Sequence, residues 1–311
     1  VIDAFASERQ YVDHLAPIWK ALGSQGTFWA PEHLRSHAES RGVTLTSSPS
    51  PGGSGPIMVA GYRDEKLTGN RPVVFVEHGA GQDYGGRHPS YPGGSRRERV
   101  VLFICPSDRV AEMNRAVYPG ARFAVVGCPK LDSLHRDPPE PGEELAVGFH
   151  WDALVCPEAR WALPHYLRAL RGLGERYRLL GHAHPRAWGR LERVYRRLGI
   201  EPVKDFEEIC RRARLYLFDN SSTGYEFASL DRPVVVLNAP WYRREIEHGL
   251  RFWELVDLGP QVDSPEELDS AIAHAGDEGY AERRREIVAE VYAHTDGKAA
   301  QRAAEAIGEV L

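Results

Sequence analysis

"LFDNSSTGYEFASLDRPVVVLN", Leu217 to Asn238 of the 311-residue chain, decides the fold. It starts as an apolar run of strand character, turns through small hydroxyl residues, takes on helical spacing, and ends in the β-branched run "PVVVLN". Two short apolar runs joined by a helical stretch read as parallel strands with a crossover helix. Such strands are buried on both faces, so they are apolar throughout rather than alternating. In open sheets of this kind ligands bind beyond the carboxyl ends of the strands. Ser221, Ser222 and Thr223 stand at that position. A helix starting at Ser222 or Thr223 offers unpaired backbone N–H groups to an anion, and the hydroxyls can donate as well. Glu226, one turn in, could accept from ribose hydroxyls. The same residues also fit a capping box, with Ser221 or Ser222 as the N-cap and Glu226 reaching back. Both readings stay open on local sequence.

The same alternation runs outward in both directions. Towards the N-terminus, "VIDAF", "GTFWA", "IMVAGY", "VVFVEH", "VVLFICPS" and "RFAVVGCP" read as strands. Helices are expected over Glu8–Leu22, "PEHLRSHAESRG" and "SDRVAEMNRAV", and "SSPSPGGSGP" as an exposed, mobile loop. "DSLHRDPPEPGEE", Asp132 to Glu144, is charged and Pro-rich and reads as a linker. After it "LAVGFH" and "YRLLGHAH" are strands. Helices follow over Glu158–Gly174, "AWGRLERVYRRLG" and "DFEEICRRA", and the tail beyond Ser264 is helical. The expected architecture is therefore α/β, with two Rossmann-like doubly wound domains facing a central cleft. Residues 1–136 form the first and residues 137–311 the second, which carries the C-terminal helices.

Composition excludes several classes. A net charge of −5 argues against a non-specific nucleic-acid or polybasic membrane binder. The four cysteines, Cys105, Cys128, Cys156 and Cys210, contain no C-x-x-C pair and fit a reducing, cytoplasmic setting. No apolar run reaches membrane-spanning length, and no signal peptide is visible at the start, so any membrane association is expected to be peripheral. Walker A, G-x-S-x-G and H-E-x-x-H patterns are absent, which removes common NTPase, hydrolase and metalloprotease readings.

Two further segments follow strands directly. His78 ends "VVFVEH", and Gly79 opens a glycine-rich stretch that lets backbone approach a substrate closely. A histidine there is either a buried structural residue or a general base able to take a hydroxyl proton. In "LLGHAHPR", His182 and His184 could supply two imidazoles to a metal, but no compact Asp, Glu or Cys set accompanies them. A cationic pocket in which His184 and Arg186 face a diphosphate is the more natural reading, with no metal.

Taken together, His78-Gly79, His184-Pro185 and "DNSSTGYEFASLDRPVVVL" resemble the CDP-glycerol glycerophosphotransferase family of teichoic-acid primases and polymerases. "CPSDRVAEMNRAVYPGARFAVVGCPKLDSL" resembles the segment that ends that family's first domain. More distantly, the chain is similar to UDP-N-acetylglucosamine 2-epimerases. The resemblance implies a GT-B fold, with His78 and His184 as catalytic histidines and His184 also touching phosphate. It implies that Ser221 and Ser222 hold the diphosphate of a nucleotide-diphosphate donor, with Glu226 where the epimerases place a ribose-binding acid; Gly79, Arg186 and Thr223 are expected beside the same donor. The implied reaction moves a glycerophosphate or glycosyl group from that donor, CDP-glycerol foremost, to a hydroxyl acceptor. Polymers and lipid-linked glycans are among the candidate acceptors, and no cofactor is implied. A UDP-sugar 2-epimerase and a catalytically silent nucleotide-binding protein are the competing expectations.

Overall fold

The computed structural model describes residues 1–80, 99–152, 160–244 and 251–311. Most of the glycine-rich stretch after Gly79, Cys156, and the expected helix start at Glu158 lie outside the described residues. The chain divides into two compact units. One gathers the described residues from Val1 to Arg136 together with Glu290–Leu311, and the other holds Asp137–Ala289.

The first unit runs β1 (Asp3–Phe5), α1 (Arg9–Ala21), β2 (Phe28–Ala30), α2 (Arg35–Ser40), β3 (Leu45–Ser47), β4 (Ile57–Val59), α3 (Tyr62–Lys66), β5 (Val73–Val76), β6 (Val100–Cys105), α4 (Asp108–Val117), β7 (Arg122–Val125) and α5 (Asp132–Arg136). Its seven strands are parallel throughout and lie in the order β3-β2-β1-β4-β5-β6-β7. Strand order reverses between β1 and β4, which is where a doubly wound sheet opens its ligand crevice. Period-two alternation sorts the strand residues onto two faces. Ala4, Met58, Val74, Val76, Leu102 and Ile104 pack on one side, while Phe5, Ile57, Val59, Phe75, Phe103 and Cys105 pack on the other. Both sets are buried, which explains the apolar runs.

The second unit runs β8 (Glu144–Phe149), α6 (Leu163–Gly174), β9 (Leu179–Ala183), α7 (Trp188–Arg197), β10 (Glu201–Pro202), α8 (Phe206–Arg212), β11 (Ala213–Phe218), α9 (Thr223–Ala228), β12 (Val234–Leu237), β13 (Gln261–Val262), α10 (Leu268–His274) and most of α11 (Glu278–Val291). Its six parallel strands lie in the order β10-β9-β8-β11-β12-β13, with the reversal between β8 and β11. Gly224 lets α9 lie directly on its strand. A Cβ there would sit 2.0 Å from the Phe218 ring, a distance no side chain survives.

Three expectations change. Asp132–Arg136 is not linker but helix α5, and Asp132 is 5% exposed. Its carboxylate accepts from Ala299 N at 2.9 Å and Ala300 N at 2.8 Å, the first N–H groups of α12 (Ala299–Gly308). That helix was expected with the second domain. Instead Ala299, Ala300, Ala303 and Ile307 join the apolar core that α1 forms with this face of the first sheet. The loop expected to be mobile is tied down by Arg71, whose guanidinium donates to the carbonyls of Gly52, Gly55 and Pro56 and pairs with Asp3. Burying those bonds compensates an Arg that is only 5% exposed.

Candidate active site

In the first unit His78 follows β5, the second strand beyond the reversal. Gly79 behind it adopts φ +73°, a left-handed turn that favours glycine and bends the chain away from the strand. The His78 ring is half-buried among aromatic neighbours. Tyr11 meets it edge-on at 5.0 Å between centroids, Tyr62 lies at 5.8 Å and His14 at 6.3 Å. Tyr11 and His14 are on α1 and Tyr62 on α3, so the collar is built by the elements that follow β1 and β4. Glu77, next to it in the chain, is buried and accepts from Asn114 Nδ2 at 2.8 Å and from Tyr62 Oη at 3.4 Å. Asp64, on α3, accepts from Ser7 N at 2.9 Å, and burial pushes its carboxyl up to about 6.

In the second unit the expected residues gather at the carboxyl ends of β9 and β11. His184 caps the turn Pro185–Ala187: its Nδ1 accepts from Arg186 N at 3.2 Å. An accepting Nδ1 places the neutral ring's proton on Nε2, so the other nitrogen is a donor. Arg186 is exposed, and its guanidinium lies over the Trp151 ring at 5.2 Å. His182 is buried and packs on Phe206 at 5.1 Å.

At β11 the hydroxyls form a short relay. Tyr216 Oη and Thr223 Oγ1 are 3.0 Å apart, and Thr223 Oγ1 donates to Ser221 Oγ at 2.9 Å. Ser221 Oγ also accepts the Thr223 N–H at 3.4 Å. With its oxygen accepting twice, Ser221, itself 6% exposed, keeps its own O–H as a donor. Burial pushes the Tyr216 phenol far up, so the relay starts from a firmly protonated donor. Ser222 occupies the N-cap position of α9 but its side chain makes no capping bond, so the capping-box reading fails for Ser222, while Ser221 Oγ meets the Thr223 N–H. Since α9 is only six residues long, hydroxyls rather than a long helix dipole supply the donors. Glu226 is buried one turn in, at 2% exposure.

Three residues at this end were not singled out from sequence. β8 lies between β9 and β11, so its own carboxyl end, His150 and Trp151, falls between the His184 and Ser221 segments. Asp219 is fully buried and accepts from His150 N at 2.9 Å and Ala162 N at 3.2 Å. Burial lifts its carboxyl to about 7. All three follow strands directly, and "GFHWD" and "LFDN" carried that signal in the sequence.

Residues 164–309 match the family model described as CDP-glycerol:poly(glycerophosphate) glycerophosphotransferase. That segment contains His184, Arg186 and Ser221 to Glu226, while His78 and His150 precede it. No curated protein matches the chain in sequence. Among solved structures, a variant of the wall teichoic acid polymerase TagF with CDPG is similar at TM-score 0.67 and 14% identity, covering 99% of this chain and 88% of that one. The UDP complex of S. aureus MnaA is similar at TM-score 0.66 and 15% identity, covering 98% and 95%. The Methanocaldococcus jannaschii UDP-GlcNAc 2-epimerase with UDP-GlcNAc and UDP gives TM-score 0.67 and 15% identity, covering 99% of each chain. The fold is GT-B, as the sequence resemblance implied, and both families named from sequence are found again. Family match and fold together support a GT-B transferase for a nucleotide-activated donor.

Proposed function

We propose that the protein transfers a glycerophosphate group from a CDP-alcohol, CDP-glycerol foremost, to an acceptor hydroxyl. The observation that carries this is the donor set at the carboxyl ends of β9 and β11, inside the family-matched segment: the Nε2–H of His184, the cation of Arg186 and the O–H of Ser221. Such a set suits the phosphate oxygens of a diphosphate. In the proposed reaction His78 takes the acceptor's proton and the acceptor oxygen forms a bond to the β-phosphorus. The bond from that phosphorus to the bridging oxygen breaks, and the nucleoside monophosphate leaves. His184, Arg186 and Ser221 stabilise the charge that gathers on the departing phosphate. Ser222 and Thr223 add donors, and Glu226 is assigned to the ribose. With a nucleotide sugar as donor, the attacked atom would be the anomeric carbon instead.

In this proposal the acceptor hydroxyl belongs to a polymer or lipid-linked glycan, reached from the cytoplasmic side. Among the described residues no helix is long and apolar enough to cross a membrane. The test is turnover of CDP-glycerol and UDP-GlcNAc by the full chain, with melting temperatures recorded in CDP, UDP, GDP and TDP. A ligand at 100 times its Kd raises stability by about 2.7 kcal/mol, so the base is read from the largest rise. CMP release that depends on acceptor supports the transfer. Epimerisation of UDP-GlcNAc points to the 2-epimerase activity instead, and binding without turnover points to a silent nucleotide-binding protein.

A further inference from the structure

We propose that His150 is a second imidazole of the nucleoside-diphosphate site, paired with His184 to hold the terminal phosphate. This rests on the reading of the β9 and β11 ends as a diphosphate site. The argument is positional first. β8 is hydrogen-bonded to β9 on one side and to β11 on the other, and His150 is the first residue beyond it. It therefore stands between the two segments that bring His184 and Ser221, at the point where strand order reverses.

The local geometry agrees. The His150 and His184 rings are 5.1 Å apart between centroids and inclined at 68°, so the imidazoles meet edge to face rather than stacking. Both are half-buried, not sealed in the core. The His150 backbone is fixed by its N–H bond to Asp219, which also holds Ala162 at the entry to α6. Trp151, the next residue, lies under the Arg186 guanidinium and brings that cation to the same end of the sheet. The nearest carboxylate in sequence, Asp152, is engaged elsewhere. Arg160 Nε meets it at 3.1 Å and Arg190 at 3.8 Å, so its charge is largely offset. A phosphate beside His150 therefore meets donors and cations.

The test measures binding of CDP and CMP, with UDP and UMP in parallel, by calorimetry on the full chain. Wild type, His150→Asn and His150→Gln are compared, with His184→Asn as reference and melting temperatures as control. Losing one hydrogen bond to a charged group weakens binding by about tenfold or more. The expected result is that loss for the diphosphate in both His150 variants, a much smaller loss for the monophosphate, and unchanged melting temperatures. Wild-type affinity in both His150 variants, with His184→Asn weakened, overturns the assignment of His150 alone. Equal losses for diphosphate and monophosphate also overturn it, since the contact would not be with the terminal phosphate. A wild-type protein that binds neither CDP nor UDP overturns the diphosphate site itself.

Discussion

The ring of His14 lies 6.3 Å from that of His78, yet the two occupy opposite settings: His14 is 2% exposed and His78 is half-buried. Burial first, and then the positive charge of Lys130, hold His14 well below the ordinary histidine range. Among the described residues its Nδ1 has no hydrogen-bond partner. His14 is therefore a neutral member of the collar around the proposed base.

That setting makes acid stability a test. The unfolded chain protonates His14 near its ordinary pKa of about 6.5, and the folded chain does not. Below that pH the unfolded state binds more protons, so this contribution to stability is lost as pH falls. His135, pushed by burial down to about 4, adds a slope of the same sign. Asp219 and Asp64, raised to about 7 and about 6, add the opposite slope over the range up to those values. The informative quantity is thus a difference. Urea unfolding at pH 7, 6 and 5 should show His14→Phe losing less stability on acidification than wild type. Equal slopes would mean that His14 is charged in the folded protein.

Ser222 separates capping from binding. Its side chain caps nothing in α9, whereas a capping serine is worth about 1 kcal/mol. Ser222→Ala should therefore leave stability within about 0.5 kcal/mol of wild type while weakening diphosphate binding. Denaturant midpoints and CDP titration read the two effects separately. A stability loss with intact affinity would sink the phosphate role.

The two catalytic candidates should divide by kinetic signature. General base catalysis contributes about 10²–10⁴ in rate. His78→Ala should lose that much transfer with little change in nucleotide affinity, because its proposed partner is the acceptor. His184→Ala should lose both, since its Nε2–H is proposed to touch phosphate before reaction as well as during it. Near-normal turnover by folded His78→Ala would remove the base.

Asp132 tests the attachment of the last helix. Its carboxylate accepts the Ala299 and Ala300 N–H groups, so Asp132→Ala leaves two buried donors unsatisfied. The expected cost is about 1–3 kcal/mol. Hydrogen exchange across α12 should accelerate more than exchange across β8 or β11. Uniform acceleration throughout the chain would show that α12 does not open on its own.

What the sequence determined by itself were the features set by local pattern. Uninterrupted apolar runs such as Val73–Val76 and Val234–Leu237 specify strands buried on two faces, and the helical spacing between strands specifies parallel order. Those two rules place His78, His184 and Ser221 just beyond strands, where an open sheet binds ligands. Tertiary structure alone decided what depends on partners remote in the chain. β3, β10 and β13 are sheet-edge strands of two or three residues, each held by the one neighbouring strand it pairs with. The Pro-rich context of Asp132 suggested a linker, but the two α12 N–H groups that its carboxylate accepts fix it as the buried start of α5. Ser222 has the sequence of a cap, but the Tyr216–Thr223–Ser221 relay satisfies the helix start from Ser221 instead. His150 meets His184 only because β8 folds between β9 and β11, which fixes residues 34 positions apart in ring contact.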